Sequence, residues 1–124
     1  MKNRKEILII DDDSKNIFAL SAVLKAKKYD CVSALSADSL FDLIAENKNI
    51  GVVLMDMMMP EMDGYEAIKK MKSDAAMNSI PVVAITAQAM TGDREKCLEA
   101  GADGYISKPV DVTELVKLLN QLMM

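Results

Sequence analysis

Short runs of consecutive apolar residues alternate along the chain with longer segments in which apolar residues return every third or fourth position. A run of about four to eight apolar residues bounded by turn residues is typical of a strand buried on both faces. The longer, periodic segments are typical of amphipathic helices. The apolar runs predict strands at residues 7–10, 31–35, 51–56, 80–86 and 103–107.

A helix is predicted after each strand. Helices are expected after an N-cap at Ser14, from Asp38 or Ser39 to about residue 47, over residues 65–72 and 93–100, and from Asp111 or Thr113 to about residue 122. Gly101 is expected to end the fourth helix. This alternation predicts a parallel sheet with helices on both faces. The length of 124 residues suits one α/β domain over residues 1–124.

Polar residues end or directly follow four of the predicted strands. They are the acidic run at residues 11–13, Asp56, Thr86 and Lys108. A parallel sheet brings the carboxyl ends of its strands to one edge, where ligands bind in open α/β sheets. Each residue also has a structural explanation, since Asp56 could face water and Asp13 could cap a helix. Their joint placement at strand ends favours a functional site.

The chemistry of this set indicates a phosphoryl group. Several carboxylates held close together need a cation, and Lys108 supplies only one positive charge. Oxygen ligands without histidine or cysteine favour Mg²⁺. Thr86 can donate a hydrogen bond to a phosphoryl oxygen. The sequence contains no phosphate-binding glycine loop, which argues against bound ATP, so Asp56 is the expected nucleophile and an acyl phosphate the product.

Composition excludes several other classes of function. The net charge of −4 without a basic run argues against direct nucleic-acid binding. No apolar stretch approaches the roughly 20 residues of a membrane helix, and the start is not a signal peptide. The chain has no histidine, which excludes a catalytic triad and an internal phosphohistidine. Cys31 and Cys97 are expected to be buried free thiols in a cytoplasmic protein.

The motifs ILIIDDD at 7–13, VVLMDMMMPEMDGYEA at 52–67, IPVVAITAQAM at 80–90 and CLEAGADGYISKP at 97–109 closely resemble the receiver domain of two-component response regulators. The resemblance covers residues 6–122. The motifs are most similar in sequence to those of receivers of hybrid sensor histidine kinases. It implies a flavodoxin-like (βα)5 three-layer sandwich with strand order 2-1-3-4-5.

The resemblance also implies roles for the acidic residues. Asp56 is the expected phosphorylation site. Asp12 is expected to bind Mg²⁺ directly, Asp11 mainly through water, and the backbone carbonyl of Met58 to be a further ligand, with Asp56 itself in the set. Asp13 lies one position beyond the usual acidic pair and is assigned to helix capping.

Further roles follow from the same resemblance. Thr86 is expected to move toward the phosphoryl group, and Lys108 is expected to pair with that group. The Lys108–Pro109 peptide bond is expected to be cis. Tyr105 occupies the aromatic switch position, and the surface of helix four, strand five and helix five is expected to change with it. Met58 and Gln88 occupy the two positions that tune phosphoryl lifetime. Met58 is expected to shield the acyl phosphate, so Met58→Asn should speed hydrolysis.

The expected partner is a sensor histidine kinase or a histidine phosphotransfer domain, because the chain has no phosphohistidine of its own. The chain is expected to promote its own phosphorylation and dephosphorylation without being an enzyme. One alternative is a dehalogenase-type phosphatase, which would need an acid where Met58 stands. The other is a receiver fold used only for docking, against which the full acid, threonine and lysine set argues. The output, the oligomeric state, and whether the chain is a complete regulator or part of a hybrid kinase stay open.

Overall fold

Five strands alternate with five helices in this computed structural model, which describes residues 6–47, 49–57, 64–86 and 92–123. The elements are β1 (Glu6–Ile10), α1 (Ser14–Ala26), β2 (Asp30–Ala34), α2 (Ala37–Glu46), β3 (Ile50–Asp56), α3 (Gly64–Ser73), β4 (Val82–Thr86), α4 (Asp93–Ala100), β5 (Gly104–Ser107) and α5 (Val112–Leu122). The predicted alternation is confirmed.

The strands form one sheet in the order β2-β1-β3-β4-β5, and every pair in it is parallel. This is the predicted flavodoxin-like order. In the register, Ile10 lies beside Met55 and Asp56 beside Ile85. The carboxyl ends of the three central strands are therefore nearly level, and the side chains that follow them lie close together.

Helices cover both faces of the sheet because the strand side chains alternate between two separate cores. In β3, Val52 and Leu54 pack with buried residues of α1 and α5. Val53 and Met55 pack instead with buried residues of α2, α3 and α4. All seven residues of β3 are buried, as expected for the central strand of a sheet covered on both sides. The predicted three-layer arrangement is confirmed.

The predicted starts of two helices were wrong by a residue or more. The N-cap of α1 is Asp13, whose carboxylate accepts a hydrogen bond from the backbone N–H of Lys15 at 2.9 Å, so Ser14 is already helical. The N-cap of α2 is Ser36 rather than Asp38 or Ser39. In both cases the capping residue precedes the helix, and its side chain accepts a hydrogen bond from a backbone N–H of the first turn that has no partner within the helix.

The other predicted helix ends agree with the structure. Asp111 is the N-cap of α5, and its carboxylate accepts from the N–H of Glu114. Helix α4 spans Asp93–Ala100 as predicted and ends at Gly101, whose φ of 118° lies in the left-handed region. Glycine adopts such a φ without steric strain, which explains why the helix stops there.

The predicted starts of two strands agree less well with the structure. Strand β4 begins at Val82 instead of residue 80, and β5 begins at Gly104 instead of residue 103. The carboxylate of Asp103 accepts a hydrogen bond from the N–H of Val82 at 2.9 Å, so a side chain continues the pairing where the strands have not yet begun. Cys97 is buried as predicted, but Cys31 is only partly buried because β2 is an edge strand.

Candidate functional site

Four polar side chains converge where the central strands end. Asp11 directly follows β1, Asp56 ends β3, Thr86 ends β4, and Lys108 directly follows β5. The backbone holds this edge together, because the N–H of Lys108 donates to the carbonyl of Thr86 at 2.7 Å. The sequence pattern alone placed these residues at one edge, and the structure brings their side chains together.

Three carboxylates form a cluster at this edge. One carboxylate oxygen each from Asp11, Asp12 and Asp56 lies within 4.8 Å of the others. Asp11 and Asp56 are buried, whereas Asp12 is exposed. Like charges at this separation repel one another, and an oxygen-only donor set suits a hard divalent cation. The cluster therefore fits a divalent metal. Asp13, as expected, caps α1 and lies outside the cluster.

Lys108 places a positive charge beside one of these carboxylates. Its Nζ lies 3.3 Å from Oδ2 of Asp56, which is 7% exposed, while the lysine side chain is 27% exposed. The Lys108–Pro109 peptide bond is cis, as predicted. A partly buried ion pair of this kind is screened less by salt than a surface pair. It neutralises one carboxylate and leaves the rest of the cluster with excess negative charge.

The electrostatics of Asp11 reflect this excess. Burial raises the pKa of the Asp11 carboxyl above its ordinary value, and the negative charge of Asp56 raises the same pKa further. The N–H of Asp13, which donates to Asp11 Oδ1 at 2.9 Å, and the charge of Lys108 act in the opposite direction. The net effect is a pKa above the ordinary value, because burial and the neighbouring negative charge outweigh the two opposing groups.

Thr86 and Tyr105 lie on the other face of the sheet from the carboxylates. Alternation places Asp56 on the face of Leu54, toward α1 and α5. The same alternation places Thr86 with Ala84, on the face of α3 and α4. Thr86 is 2% exposed, and Tyr105 packs, partly buried, against the core on that face. The two expected switch residues therefore share a face.

The sequence matches the response regulator receiver domain family over residues 7–120. The chain belongs to this family. It is 32% identical over 119 residues, 96% of each chain, to the polar-differentiation response regulator DivK of Brucella ovis.

Solved structures of receivers agree with this assignment. The receiver domain of a sensor histidine kinase from Pseudomonas aeruginosa, with a magnesium ion coordinated in its active-site cleft, is 31% identical, with a TM-score of 0.84 and coverage of 96% of this chain and 97% of that one. The receiver of a histidine kinase from Syntrophus aciditrophicus is 27% identical, with a TM-score of 0.86 and coverage of 96% and 89%. The chain is thus a receiver domain of two-component signalling, and its acidic cluster is consistent with a magnesium-dependent phosphoacceptor site.

Some expected features of the receiver lie outside the described residues. Met58 lies outside them, so its carbonyl as a metal ligand and its side chain as a determinant of phosphoryl lifetime stay predictions. Gln88, the other lifetime position, also lies outside them. Within the described part of the chain, no helix is long and apolar enough to cross a lipid bilayer.

The sequence reasoning missed a cavity of about 300 Å³ beside the carboxylates. Asn16, Ala19 and Val23 of α1 line one wall of this cavity, which we call the α1 cavity. Their spacing places them along one side of the helix. The small side chain of Ala19 in the middle of that row is the sequence signal that could have indicated open space.

Proposed function

We propose that this receiver domain accepts a phosphoryl group on Asp56 from a phosphohistidine of a partner protein. The observation that carries the proposal is the position of Asp56. Its carboxylate belongs to the acidic cluster and also lies 3.3 Å from the ammonium group of Lys108. A nucleophilic oxygen, metal-binding oxygens and a fixed positive charge are thus present within one small region, as phosphoryl transfer requires.

In the proposed reaction, an Asp56 oxygen attacks phosphorus while the bond from phosphorus to the histidine nitrogen breaks. Asp11, Asp12, Asp56 and the carbonyl of Met58 would hold Mg²⁺, which when bound supplies positive charge to the phosphoryl oxygens. Lys108 contributes a further positive charge from the carboxyl end of β5. Because the work of the protein is positioning and charge neutralisation, few groups suffice.

The partner must supply the phosphohistidine, because this chain contains no histidine. A sensor histidine kinase or a histidine phosphotransfer domain is the proposed donor. The similarity to receivers that belong to histidine kinases supports this choice. The proposed location is the reducing cytoplasm, which fits the two free thiols. The proposed receiver domain spans residues 1–124.

The proposed receiver promotes its own phosphorylation and dephosphorylation, with one phosphoryl group held at a time. The residues that stabilise charge during transfer to Asp56 also stabilise it when water attacks the acyl phosphate. Met58 and Gln88, two positions beyond Asp56 and Thr86, are the proposed determinants of lifetime. An apolar Met58 would hinder water, so Met58→Asn is expected to shorten the lifetime.

Phosphorylation adds about −1.5 to −2 charge units at Asp56. In the proposed switch, Thr86 moves toward the new phosphoryl oxygens, and Tyr105 rotates into the space that it leaves. Both residues lie on the α3 and α4 face, which supports their coupling. The surface formed by α4, β5 and α5 then changes as a shift between two populated states.

The test is intact-mass measurement after incubation with Mg²⁺ and acetyl phosphate. The wild type is expected to gain the mass of one phosphoryl group, and neither Asp56→Asn nor an EDTA-treated sample is expected to gain it. Beryllofluoride binding separates the remaining cases. A docking-only receiver would show neither an adduct nor binding, and a phosphatase would release phosphate from the donor without accumulating the adduct.

A further inference from the structure

A shallow groove runs past the open edge of the sheet beside β2. Strand β2 is the outermost strand on this side, with α1 on one face of the sheet and α2 on the other. The groove, which we call the edge groove, is lined from both helices and from the end of β2, by Ser14, Ile17, Leu35, Asp42 and Leu43 among others. Leu35 is 57% exposed, so the groove presents a large apolar side chain to the outside.

Phe18 extends this apolar surface along α1. Its side chain is 77% exposed, and it lies one turn after Ser14 and next to Ile17, which both line the edge groove. The exposed large apolar side chains in the described part of the chain are Phe18, Leu35 and Leu98, and two of these three belong to this edge. Exposed apolar residues that cluster between charged ones are typical of a protein–protein interface.

The two helices that flank the edge groove carry opposite charges. Helix α1 contains lysines and no acidic residue, whereas α2 contains acidic residues and no basic one. Lys25 follows Phe18 by two turns, and Glu46 follows Asp42 by one turn, so each charge lies on the groove side of its helix. Within the described residues, neither Lys25 nor Glu46 takes part in an ion pair.

The position of Lys25 has independent support from its effect on β2. Burial raises the pKa of the Cys31 thiol, and the positive charge of Lys25 lowers the same pKa. Cys31 belongs to the edge strand, so the Lys25 ammonium group lies near that edge rather than on the far side of α1.

We propose that a second copy of this chain binds at the edge groove, with α1 of each copy packed against α2 of the other. A two-fold axis parallel to β2 produces this arrangement, because rotation about it exchanges the two faces of the sheet and keeps the strand direction. The helix ends stay level, since Lys25 is the penultimate residue of α1 and Glu46 is the last residue of α2. Lys25 of one copy then meets Glu46 of the other, and this contact occurs twice.

Charge complementarity identifies the occupant as a second copy. A surface with a basic half and an acidic half matches its own image after a two-fold rotation, whereas a uniformly charged partner is repelled by one half. Phe18 of each copy packs near Leu35 and Leu43 of the other, between the charged pairs. Because this apolar centre is small, we expect a dissociation constant of about 10–100 µM, weaker than that of a standard-size interface.

Sedimentation equilibrium over a concentration series up to about 1 mM measures the association. Lys25→Glu and Glu46→Lys each place like charges together twice, so each variant alone is expected to lose at least about tenfold in dimer affinity. An equal mixture of the two variants should recover the wild-type affinity, because both contacts of the mixed dimer pair opposite charges. A change in net charge or in stability does not produce this recovery.

Phe18→Ala tests the apolar centre and should raise the dissociation constant at least about tenfold. Leu98→Ala, which shortens an exposed large apolar side chain on α4, is the matched control and should keep the wild-type affinity. A wild-type chain that stays monomeric throughout the series would overturn the inference. So would a charge-variant mixture that stays monomeric, or dissociation caused by Leu98→Ala and not by Phe18→Ala, which would place the contact at α4. The inference is independent of phosphorylation at Asp56.

Discussion

Lys108 reaches Asp56 across an intervening strand. Asp56 ends β3, Lys108 follows β5, and β4 lies between them in the sheet. The long side chain spans the end of β4, and its Nζ lies 3.3 Å from Asp56 Oδ2. The hydrogen bond from the N–H of Lys108 to the carbonyl of Thr86 fixes where that reach begins. The ion pair therefore depends on the register between β4 and β5.

Replacing Lys108 should slow phosphorylation of Asp56. Lys108→Met keeps a long side chain but removes a charge-assisted contact worth about 1.5–3 kcal/mol, which corresponds to a rate loss of roughly tenfold to a hundredfold. The measurement is the rate of the mass increase with phosphoramidate and Mg²⁺. Lys108→Arg, which retains the charge, should lose less. A Lys108→Met rate within about twofold of the wild type would contradict the assigned role.

Replacing Thr86 should separate phosphorylation from the switch. In Thr86→Ala the hydroxyl that would contact the phosphoryl group is missing, so beryllofluoride should still bind while the Tyr105 ring resonances stay unchanged. Thr86→Ser keeps a hydroxyl and should restore part of the wild-type ring shift. The comparison is made by NMR with and without beryllofluoride. A full Tyr105 response in Thr86→Ala would disprove this account of the switch.

Removing one member of the acidic cluster should weaken metal binding and relieve repulsion. Asp12 is exposed, so Asp12→Asn is expected to fold normally and to lose at least about tenfold in Mg²⁺ affinity. Its melting temperature in EDTA should rise, because fewer like charges remain. Thermal unfolding over a Mg²⁺ titration measures both effects.

The neighbouring acid provides the control for that experiment. Asp13 lies outside the cluster and caps α1, and asparagine is an equally good N-cap. Asp13→Asn should therefore keep both wild-type stability and wild-type Mg²⁺ affinity. If both variants lost affinity equally, general surface charge would be the cause instead of ligation by Asp12.

The ends of α1 and α4 both favour glycine, so adding glycine at one end and removing it from the other should change stability in opposite directions. Lys28 follows α1 with a φ of 73°, and the N–H groups of Lys28 and Tyr29 bond to the carbonyls of Lys25 and Leu24. Gly101 makes the equivalent pattern after α4. A non-glycine residue in this conformation costs about 1–2 kcal/mol, part of which glycine offsets through unfolded-chain entropy, so Lys28→Gly should stabilise the protein by about 0.5–1 kcal/mol.

Urea unfolding measures this prediction, with Gly101→Ala as its counterpart. An added Cβ at Gly101 would lie 2.8 Å from Cγ of Lys72, in a backbone conformation that alanine rarely adopts. Gly101→Ala should therefore lower the free energy of unfolding by at least about 1 kcal/mol. A destabilised Lys28→Gly would mean that the lysine side chain contributes more than its backbone strain.

The sequence determined the architecture because apolar runs and helical periods report directly on burial. Strand order came only from the family resemblance, since periodicity does not specify which strands are neighbours. The cap at Ser36 was missed, and the start of α1 was placed one residue late at Ser14 although capping by Asp13 was expected, because a cap depends on which side chain can reach a free N–H of the first turn. Several nearby Ser and Asp residues satisfy the same composition rule.

Part of the candidate site could also be predicted from the sequence, and part could not. Asp56 and Lys108 could be placed together because parallel strands bring their carboxyl ends to one edge. The α1 cavity could be indicated only weakly, by the small side chain of Ala19, because its size depends on how far α1 stands from the sheet. Such a gap between elements leaves almost no trace in the pattern of apolar positions.

Adjacent strand ends project their side chains through opposite sides of a single sheet. Asp56 faces α1 and α5, whereas Thr86 and Tyr105 lie with α3 and α4. The charge that phosphorylation would add at Asp56 therefore lies on one side of the sheet, and the ring proposed to respond to it lies on the other. The proposed switch would thus carry information through the thickness of the sheet.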